Sequence, residues 1–484
     1  MNTSAVSPGR AGLLLLLSGQ MLPLIDTSIT NVALDAITHT LAASATQLEL
    51  IVALYGVAFA VCLAMGSKLG DNYGRRRLFM WGVALFGIAS LLCGMANSIG
   101  ALLAARTLQG AGAARTLQGA GAALIVPQIL ATLHVTLKGP AHARAISLYG
   151  GIGGIAFIVG QMGGGWLVSA DIAGLGWRNA FFINVPICLL VLALSRRYVP
   201  ETRRETPSRI DWQGTLYLAL ILCCLLFPMA LGPELHWPLW LQLMLVAVLP
   251  LLFAMRQSAL RQQQRGDHPL LPPRLLQLTS IRFGMAIALL FFSAWSGFMF
   301  CMALTMQEGL GMAPWQSGNS FIALGVAYFI SALYAPRLIA RYSMGRILLT
   351  GLAVQIAGLL LLCATFSRFG VATNTLTLVP ATALIGYGQA LIVNSFYRIG
   401  MRDISASDAG AGSAILSTLQ QATLGLGPAI LGSLFLALAR RGGGNYPQAL
   451  IDFLLVEVAM MLLLGAIALW LRHHLNRQPA TVAS

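Results

Sequence analysis

Charged side chains are rare in the long apolar segments of this chain, and those that occur there are its candidate reactive groups. Asp26 lies near the middle of the first apolar run, where an ionised carboxylate is costly and a proton can be taken up and released. Glu308 and Glu457 are further acids at the end of such a run or within one. Alternatively, Asp26 only hydrogen-bonds a neighbouring helix, through Ser28 or Asn31. The pattern therefore indicates either a buried proton carrier or a polar helix contact.

The elements that carry these groups are predicted to be membrane-spanning helices. The 484 residues are 57% hydrophobic and 9% charged, with a mean hydropathy of +0.77, which leaves almost no room for a soluble domain. Runs long enough to cross a hydrocarbon core of about 30 Å predict fourteen spans, at 11–34, 48–66, 78–97, 101–133, 143–169, 179–195, 212–231, 237–255, 281–305, 316–336, 346–366, 374–397, 409–438 and 447–471. Most Lys and Arg residues then lie in loops on the side of both termini, which places the N- and C-termini in the cytoplasm.

Several classes of function are disfavoured by the same composition. The net charge of +15 does not indicate a nucleic-acid partner, because the basic residues are scattered through short loops rather than gathered on one surface. The sequence contains no Walker motif, no metal-ligand spacing and no catalytic triad, so we expect no metal, no cofactor and no enzymatic activity. These features favour an all-α integral membrane protein.

A charged turn between spans two and three, residues 67–77, is named the basic turn. Its sequence is Ser-Lys-Leu-Gly-Asp-Asn-Tyr-Gly-Arg-Arg-Arg. Asp71 can accept hydrogen bonds from the start of the next helix, and Gly74 permits a tight reversal. Arg75 and Arg76 can bridge to neighbouring helices or to the phosphates of membrane lipids. We predict a gate-latching role, in which a salt bridge favours one conformation by about 1–3 kcal/mol, besides fixing topology.

The chain divides into two similar halves. Two long polar insertions bracket spans seven and eight, which predicts a six-helix bundle at 1–195, a linker with two extra helices at 196–280, and a second six-helix bundle with a short cytoplasmic tail at 281–484. A weaker echo of the basic turn occurs at 340–346, between spans ten and eleven. This layout is expected of two halves that rock about a site at the membrane midplane.

Five segments together resemble motifs of the major facilitator superfamily, and within it the fourteen-span drug:proton antiporters. Besides the basic turn, they are Asp-Thr-Ser-Ile-Thr-Asn-Val-Ala-Leu at 26–34, Arg-Thr-Leu-Gln-Gly-Ala-Gly-Ala-Ala at 115–123, Ala-Phe-Ile-Val-Gly-Gln-Met-Gly-Gly-Gly at 156–165, and Trp-Arg-Asn-Ala-Phe-Phe-Ile-Asn-Val-Pro at 177–186. The resemblance covers most of the chain. It implies two six-helix bundles that exchange substrate for protons by alternating access.

The resemblance also assigns roles to residues. It implies that Asp26 couples transport to protons with the help of an arginine in span four, and that Gly160, Gly164 and Gly165 belong to the fifth-span antiporter motif. Glycines at this density let helices approach closely and slide. Gln161 stands where the family usually has proline, which predicts a straighter helix at this point.

An identical nine-residue repeat, at 105–113 and 114–122, lengthens span four. Removing one copy would leave about 24 residues, a normal span. Arg106 and Arg115 occupy equivalent positions in the two copies, and only one of them can hold the motif's usual place. We favour Arg115, because it is in register with Gln118 and Pro127. The alternative is a recent duplication that impairs transport.

The predicted function is proton-coupled efflux of amphipathic, cationic drugs or biocides across the inner membrane of a bacterium. Tyr55, Trp295, Phe298 and Glu308 are candidate substrate contacts, since aromatic rings and a carboxylate suit a flat lipophilic cation. Packing is the structural alternative for these rings. The expected partners are the small-molecule substrate, protons and lipids, and the oligomeric state is left open, with a monomer compatible. Two other hypotheses are an exporter of one native metabolite and a transport-inactive membrane sensor or scaffold.

Overall fold

The chain folds into long helices connected by short turns. The computed structural model describes residues 9–98, 113–137, 141, 145, 148, 149, 152, 156, 159–202, 209–267, 269–404 and 409–475, and all regular structure in these ranges is helical. The first six helices are α1 (Gly9–Leu41), α2 (Ala45–Tyr73), α3 (Arg75–Gly94), α4 (Ala113–Thr136), α5 (Gly164–Ser169) and α6 (Asn184–Tyr198). A π-helical turn, Val159–Gly163, precedes α5. Short helical turns at Ile172–Gly174, Gly176–Arg178 and Asn179–Phe182 lead into α6.

Eight further helices follow along the chain. They are α7 (Trp212–Leu231), α8 (Leu239–Gln264), α9 (Thr279–Gly309), α10 (Ile322–Tyr342), α11 (Met344–Phe369), α12 (Thr375–Gly400), α13 (Ala409–Gly427, continued by Ser433–Arg441) and α14 (Tyr446–Leu475). Short helices Pro273–Leu276 and Pro314–Asn319 precede α9 and α10, and the turn Gly370–Ala372 follows α11. Helices α9 and α13 contain π-helical turns, at Ala288–Phe292 and Thr305–Gly309 in α9 and at Pro428–Gly432 in α13.

Twelve of these helices are long and apolar enough to cross a membrane. Each coincides with one predicted span, because an unbroken apolar run of this length can satisfy its backbone groups in lipid only as a helix. The other two predicted spans, 101–133 and 143–169, extend over residues outside the described ranges. Within the first of them, Gln118–Leu133 forms a shorter apolar helix. The count of fourteen spans and the cytoplasmic termini therefore stay predictions.

The first and second halves of the chain are in direct contact where α2 packs on α13. A Cβ atom added to Gly425 would lie 2.7 Å from the carbonyl carbon of Gly56 and 2.7 Å from the nitrogen of Val57. The backbones are thus in direct contact, which only glycine allows. Helix α7 packs beside this contact, where Leu226 joins a buried cluster with Ala53 of α2 and residues of α13.

Helix α8 lies at the periphery and packs on α7. Its outward face is apolar and exposed, with Leu239, Leu243, Val246 and Leu249 at 58% to 72% exposure. A surface of this kind is unfavourable in water and suits the lipid hydrocarbon. The helix therefore provides a lipid-facing surface rather than a part of the central contact.

Candidate functional site

Asp26 lies at the centre of a buried polar cluster formed by α1, α3, α4 and α6. Gln118 Nε2 donates to Asp26 Oδ1 at 2.6 Å and to Ser90 Oγ at 2.8 Å. Asn184 Nδ2 donates to the same two oxygens at 3.1 and 3.3 Å. None of the four side chains has measurable exposure. The cluster brings one predicted acid together with three neutral polar groups from distant parts of the sequence.

Two features of this arrangement act in opposite directions on the ionised form of the Asp26 carboxyl group. Burial away from water disfavours the ionised form, whereas two amide donors on one oxygen favour it. The balance between these two influences therefore depends on the positions of α4 and α6 relative to α1. The helix partners differ from those expected from the sequence: the hydroxyl of Ser28 donates to the carbonyl of Leu24, within α1 itself.

The three motif glycines of span five pack on both sets of helices. A Cβ atom on Gly160 would lie 2.8 Å from the carbonyl oxygen of Ile25, and one on Gly164 would lie 3.1 Å from the Cα atom of Ile29. These contacts place both glycines against the segment of α1 that carries Asp26. Gly165 faces the short helix before α10, since its Cβ atom would lie 2.6 Å from the carbonyl oxygen of Pro314. A side chain at Gly160 or Gly164 would therefore clash with α1, and one at Gly165 would clash with the short helix before α10.

Gln161 is buried in the π-helical turn before α5, at 1% exposure. Neither polar atom of its side chain has a hydrogen-bond partner among the described residues. The helix is irregular here without a proline, so the predicted straightening is not what the local backbone shows. An unpartnered buried amide is unfavourable by about 1–3 kcal/mol, which suits a segment whose contacts change during a functional cycle.

The basic turn forms a network with the segment that follows α6. Arg75 and Asp71 form an ion pair at 2.5 Å, and the backbone nitrogen of Arg75 donates to the carbonyl of Thr202 at 2.9 Å. The backbone nitrogen of Arg76 donates to Glu201 Oε1 at 3.0 Å. Gly74 has a φ of +104°, and a Cβ atom there would lie 2.7 Å from Glu201 Oε1. The sequence did not identify Glu201, which has no motif of its own.

The echo of the basic turn in the second half has the same backbone form. Ser343 separates α10 from α11 with a φ of +79°, as Gly74 separates α2 from α3. Ser343 thus lies between two helices at the place where the echo was predicted. A serine at this φ is strained, because its Cβ atom crowds the backbone.

The two candidate arginines of span four cannot be placed through their side chains. Arg106 lies outside the described residues, as does most of the first repeat copy. Arg115 lies in α4, but its side chain is not described. The second copy supplies Gln118, the residue that reaches Asp26. This contact bears on the register of the repeat.

The four proposed substrate contacts lie in different surroundings. The hydroxyl of Tyr55 donates to the carbonyl of Pro23 in α1 at 3.4 Å, next to the Asp26 segment. Trp295 is half-buried and stacks on Phe292, while Phe298 is 1% exposed. Neither of the two cavities described for this chain is lined by Tyr55, Trp295 or Phe298.

Glu308 lies at the end of α9 beside two residues at the end of α1. His39 Nε2 lies 3.2 Å from Asp35 Oδ1. One ligand-type atom from each of the three lies within 4.8 Å of the others, a spacing that exposed acidic groups often have without a metal. The expected absence of a metal stays a prediction.

Glu49, near the start of α2, is a buried acid that the sequence analysis did not single out. It is 1% exposed, and its Oε2 atom accepts from Ser433 Oγ of α13 at 2.9 Å. A carboxylate only a few residues into an apolar run was the available signal. Glu457, predicted as a further acid, is also 1% exposed, within α14.

Two cavities open near the ends of the helices. The first, of about 360 Å³, lies at the face of the basic turn and is lined by Asp211, Arg256 and Arg282 among others. The second, of about 490 Å³, lies at the opposite face and is lined by Ser44, Thr46, Glu234, Leu436, Ala439, Arg440, Gly444 and Tyr446. We name the second one the outer cavity.

Comparison with known proteins identifies similar sequences over most of the chain. Residues 16–428 match the profile described as Major Facilitator Superfamily. The chain is 32% identical over 428 residues to the probable actinorhodin transporter of Streptomyces coelicolor, covering 88% of this chain and 72% of that protein. It is 30% identical to the puromycin resistance protein pur8 of Streptomyces alboniger, covering 87% and 80%. It is also 30% identical to the multidrug resistance protein Stp of Mycobacterium tuberculosis, covering 87% and 74%.

Solved structures agree on the fold. The chain superposes on the crystal structure of PepTSo2 with a TM-score of 0.65 and 14% identity, covering 96% of this chain and 99% of that one. It superposes on the human organic anion transporter MFSD10 with a TM-score of 0.61 and 15% identity, covering 93% and 99%. At this identity the match concerns the fold alone.

Proposed function

The chain belongs to the major facilitator superfamily, and we propose that it exports amphipathic, cationic compounds in exchange for protons. It is a multi-pass protein of the bacterial inner membrane, and its relatives include antibiotic transporters and drug resistance proteins. The observation that carries the proposal is Asp26, a fully buried acid held by donors from α4 and α6. Such an acid can bind a proton in one conformation and release it in another.

In the proposed cycle, Asp26 is protonated from the outside and releases its proton to the inside. Loss of the Gln118 or Asn184 bond during rocking of the helices favours the protonated form, and restoration of these bonds favours the ionised form. Glycines 160 and 164 permit α5 to slide along the Asp26 segment. Tyr55, which contacts α1 at Pro23, is the best-placed of the predicted substrate contacts to sense this change.

The proposed topology has fourteen spans and both termini in the cytoplasm, with six-helix bundles at 1–195 and 281–484. The basic turn then lies on the cytoplasmic side, where its arginines are favoured. We propose that the network of Asp71, Arg75, Arg76 and Glu201 holds the cytoplasmic ends of α2, α3 and α6 together. The outer cavity faces the periplasm in this orientation.

We further propose that the second copy of the repeat occupies the functional position in span four. Gln118 belongs to this copy, and its bond to Asp26 supports the register in which Arg115 holds the motif position. An arginine near Asp26 would offset the charge of the ionised carboxylate. No cofactor is required, because the proton gradient supplies the energy.

A narrower substrate range is the second candidate. The relative with 32% identity is named for one natural product, actinorhodin, which favours an exporter of a single native metabolite. The two resistance proteins favour a broader range. The distinction depends on substrate tests with both classes of compound.

The test is ethidium efflux from cells that express the chain, with and without a protonophore. Wild type is expected to show protonophore-sensitive efflux, and Asp26→Asn is expected to lose it. Asp171→Asn, a change at an exposed acid of the α5–α6 connection, is the matched control and should retain efflux. Efflux that survives in Asp26→Asn would contradict the role of Asp26. Transport of a natural product without ethidium transport would favour the narrow range, and no transport of either would favour a sensor or scaffold.

A further inference from the structure

Glu49 connects three helices through one hydroxyl group. Ser433 Oγ of α13 lies 2.9 Å from Glu49 Oε2 of α2 and 3.0 Å from the carbonyl oxygen of Met229 of α7. A hydroxyl carries one hydrogen and can donate to only one of these oxygens at a time. The protonation state of Glu49 therefore determines which oxygen accepts the hydrogen bond of Ser433. Protonated Glu49 donates to Ser433 Oγ, and Ser433 then donates to the carbonyl oxygen of Met229. When Glu49 is ionised, Ser433 donates to Glu49 instead.

Glu49 is shielded from solvent in the conformation described. Glu49 is 1% exposed, and its Oε1 atom has no hydrogen-bond partner among the described residues. A buried carboxylate that is half unpartnered is strongly unfavourable when charged. Only the protonated form allows all three oxygens of this contact to take part in one chain of hydrogen bonds. The hydrogen-bond chain that joins α2, α13 and α7 is thus complete when the acid carries its proton.

The outer cavity provides a route for that proton. Thr46 lines the cavity one helical turn before Glu49 on α2, and Leu436 lines it three residues after Ser433 on α13. Residues three apart share a helix face, so Glu49 and Ser433 lie on the faces of α2 and α13 that line the cavity one turn further out. Of the charged groups around it, Arg440 of α13 and Glu234 after α7 act on Glu49.

The other titratable neighbours are Tyr446 and Cys301. Tyr446 of α14 lines the cavity, and Cys301 of α9 lies within electrostatic range of Glu49. Neither group is charged at neutral pH in ordinary conditions, so neither supplies a fixed charge beside Glu49. Arg440 and Glu234 carry charges of opposite sign. The acid is therefore open to control by proton concentration at the cavity.

We propose that Glu49 is a second proton-carrying residue, loaded through the outer cavity, whose protonation completes a chain of hydrogen bonds from α2 through α13 to α7. This inference rests on the proposed function, and it adds a second proton to each transport cycle beside the one on Asp26. Loss of the proton directs the Ser433 hydrogen to Glu49, so the bond from Ser433 to Met229 is lost and α7 is released from α13, which allows the outer face to open. Proton binding and conformation are thereby linked.

The test measures how far the purified protein in liposomes accumulates ethidium at a gradient of about one pH unit, with the membrane potential held at zero. Each coupled proton contributes about a tenfold accumulation ratio at this gradient. We expect wild type to approach about 100-fold and Glu49→Gln to approach about tenfold. The ratio is a thermodynamic quantity, so a variant that is merely less abundant still reports its own stoichiometry. Leak is measured in liposomes without protein.

The matched control is Asp452→Asn, which removes a carboxylate charge from α14 at a half-buried acid outside the contact of α2, α7 and α13. It is expected to keep the wild-type ratio. Equal ratios in wild type and Glu49→Gln, or an equal fall in Glu49→Gln and Asp452→Asn, would overturn the inference while the proposed function stands. A wild type without any gradient-driven accumulation would instead refute the proposed function itself.

Discussion

The contact between Gly56 and Gly425 makes a sharp prediction about the conformational equilibrium. We expect Gly56→Ala to disfavour the conformation described here, in which α2 and α13 touch through their backbones. The added Cβ atom would lie 2.7 Å from the nitrogen of Gly425, whereas carbon and its neighbours usually stay about 3.5–4.0 Å apart. The helices must therefore separate by about 1 Å at this point.

The magnitude follows from the cost of overpacking. Inserting one methyl group into a tight contact costs about 1–3 kcal/mol. If α2 and α13 part in the alternative conformation, the whole cost falls on the conformation described, and the ratio of the two populations changes about 5- to 150-fold. Gly425→Ala should act in the same way. The free-energy cost of the double variant should be smaller than the sum of the two single costs, because one separation of α2 and α13 accommodates both methyl groups.

The assay is the distance between spin labels on the two sets of helices, at the face opposite the basic turn. Ile172→Cys and Val371→Cys are suitable sites, at 55% and 78% exposure, in a background with the seven native cysteines replaced by alanine. Gly56→Ala should increase the population with the longer distance. Gly163→Ala is the matched control, since nothing lies within 4 Å of the Cβ atom it adds. An unchanged distance distribution in Gly56→Ala, or an equal change in Gly163→Ala, would refute the reasoning.

Three further predictions concern stability and the repeat. Asp26→Leu should lower stability by about 1–3 kcal/mol, because it removes an acceptor from two buried amides, whereas Asp26→Asn keeps an acceptor; thermal unfolding in detergent distinguishes them. Gly74→Ala should lower the unfolding temperature, through its positive φ and the contact with Glu201, while Ser343→Gly should raise stability by about 1 kcal/mol by relieving strain. If the second copy holds the functional position, Gln118→Ala should lower ethidium efflux, whereas Gln109→Ala, the same change in the first copy, should leave it intact; the reverse result would contradict that register.

The helices could be predicted from the sequence because each depends on a local property. A run of about 20 apolar residues has few alternatives to a membrane-spanning helix. The echo of the basic turn was predictable for the same reason, since a short polar break between apolar runs must reverse the chain. Asp26 was identified as a candidate because its own surroundings in the sequence are apolar. Each of these inferences needs only neighbouring residues.

The contacts of the candidate site depend on long-range packing and could not be predicted in this way. Ser90 and Asn184 reach Asp26 only because α3 and α6 pack against α1 and α4. Glu49 lies so near the start of its span that the sequence alone is equally consistent with a surface position. It becomes a buried acid because Ser433 and α13 cover it. Which distant helix covers a residue is not a local property.

The peripheral position of α8 has a consequence for how the chain changes over evolutionary time. Leu243, Val246 and Leu249 project away from the other helices, so other apolar side chains can replace them without loss of a specific contact. Leu241, fully covered on the same helix, has no such freedom. We therefore expect sequence drift along one face of α8 and restraint along the other. Because α8 contacts its neighbours along one face alone, we expect related chains to differ in the length or sequence of this segment without changes in the buried core.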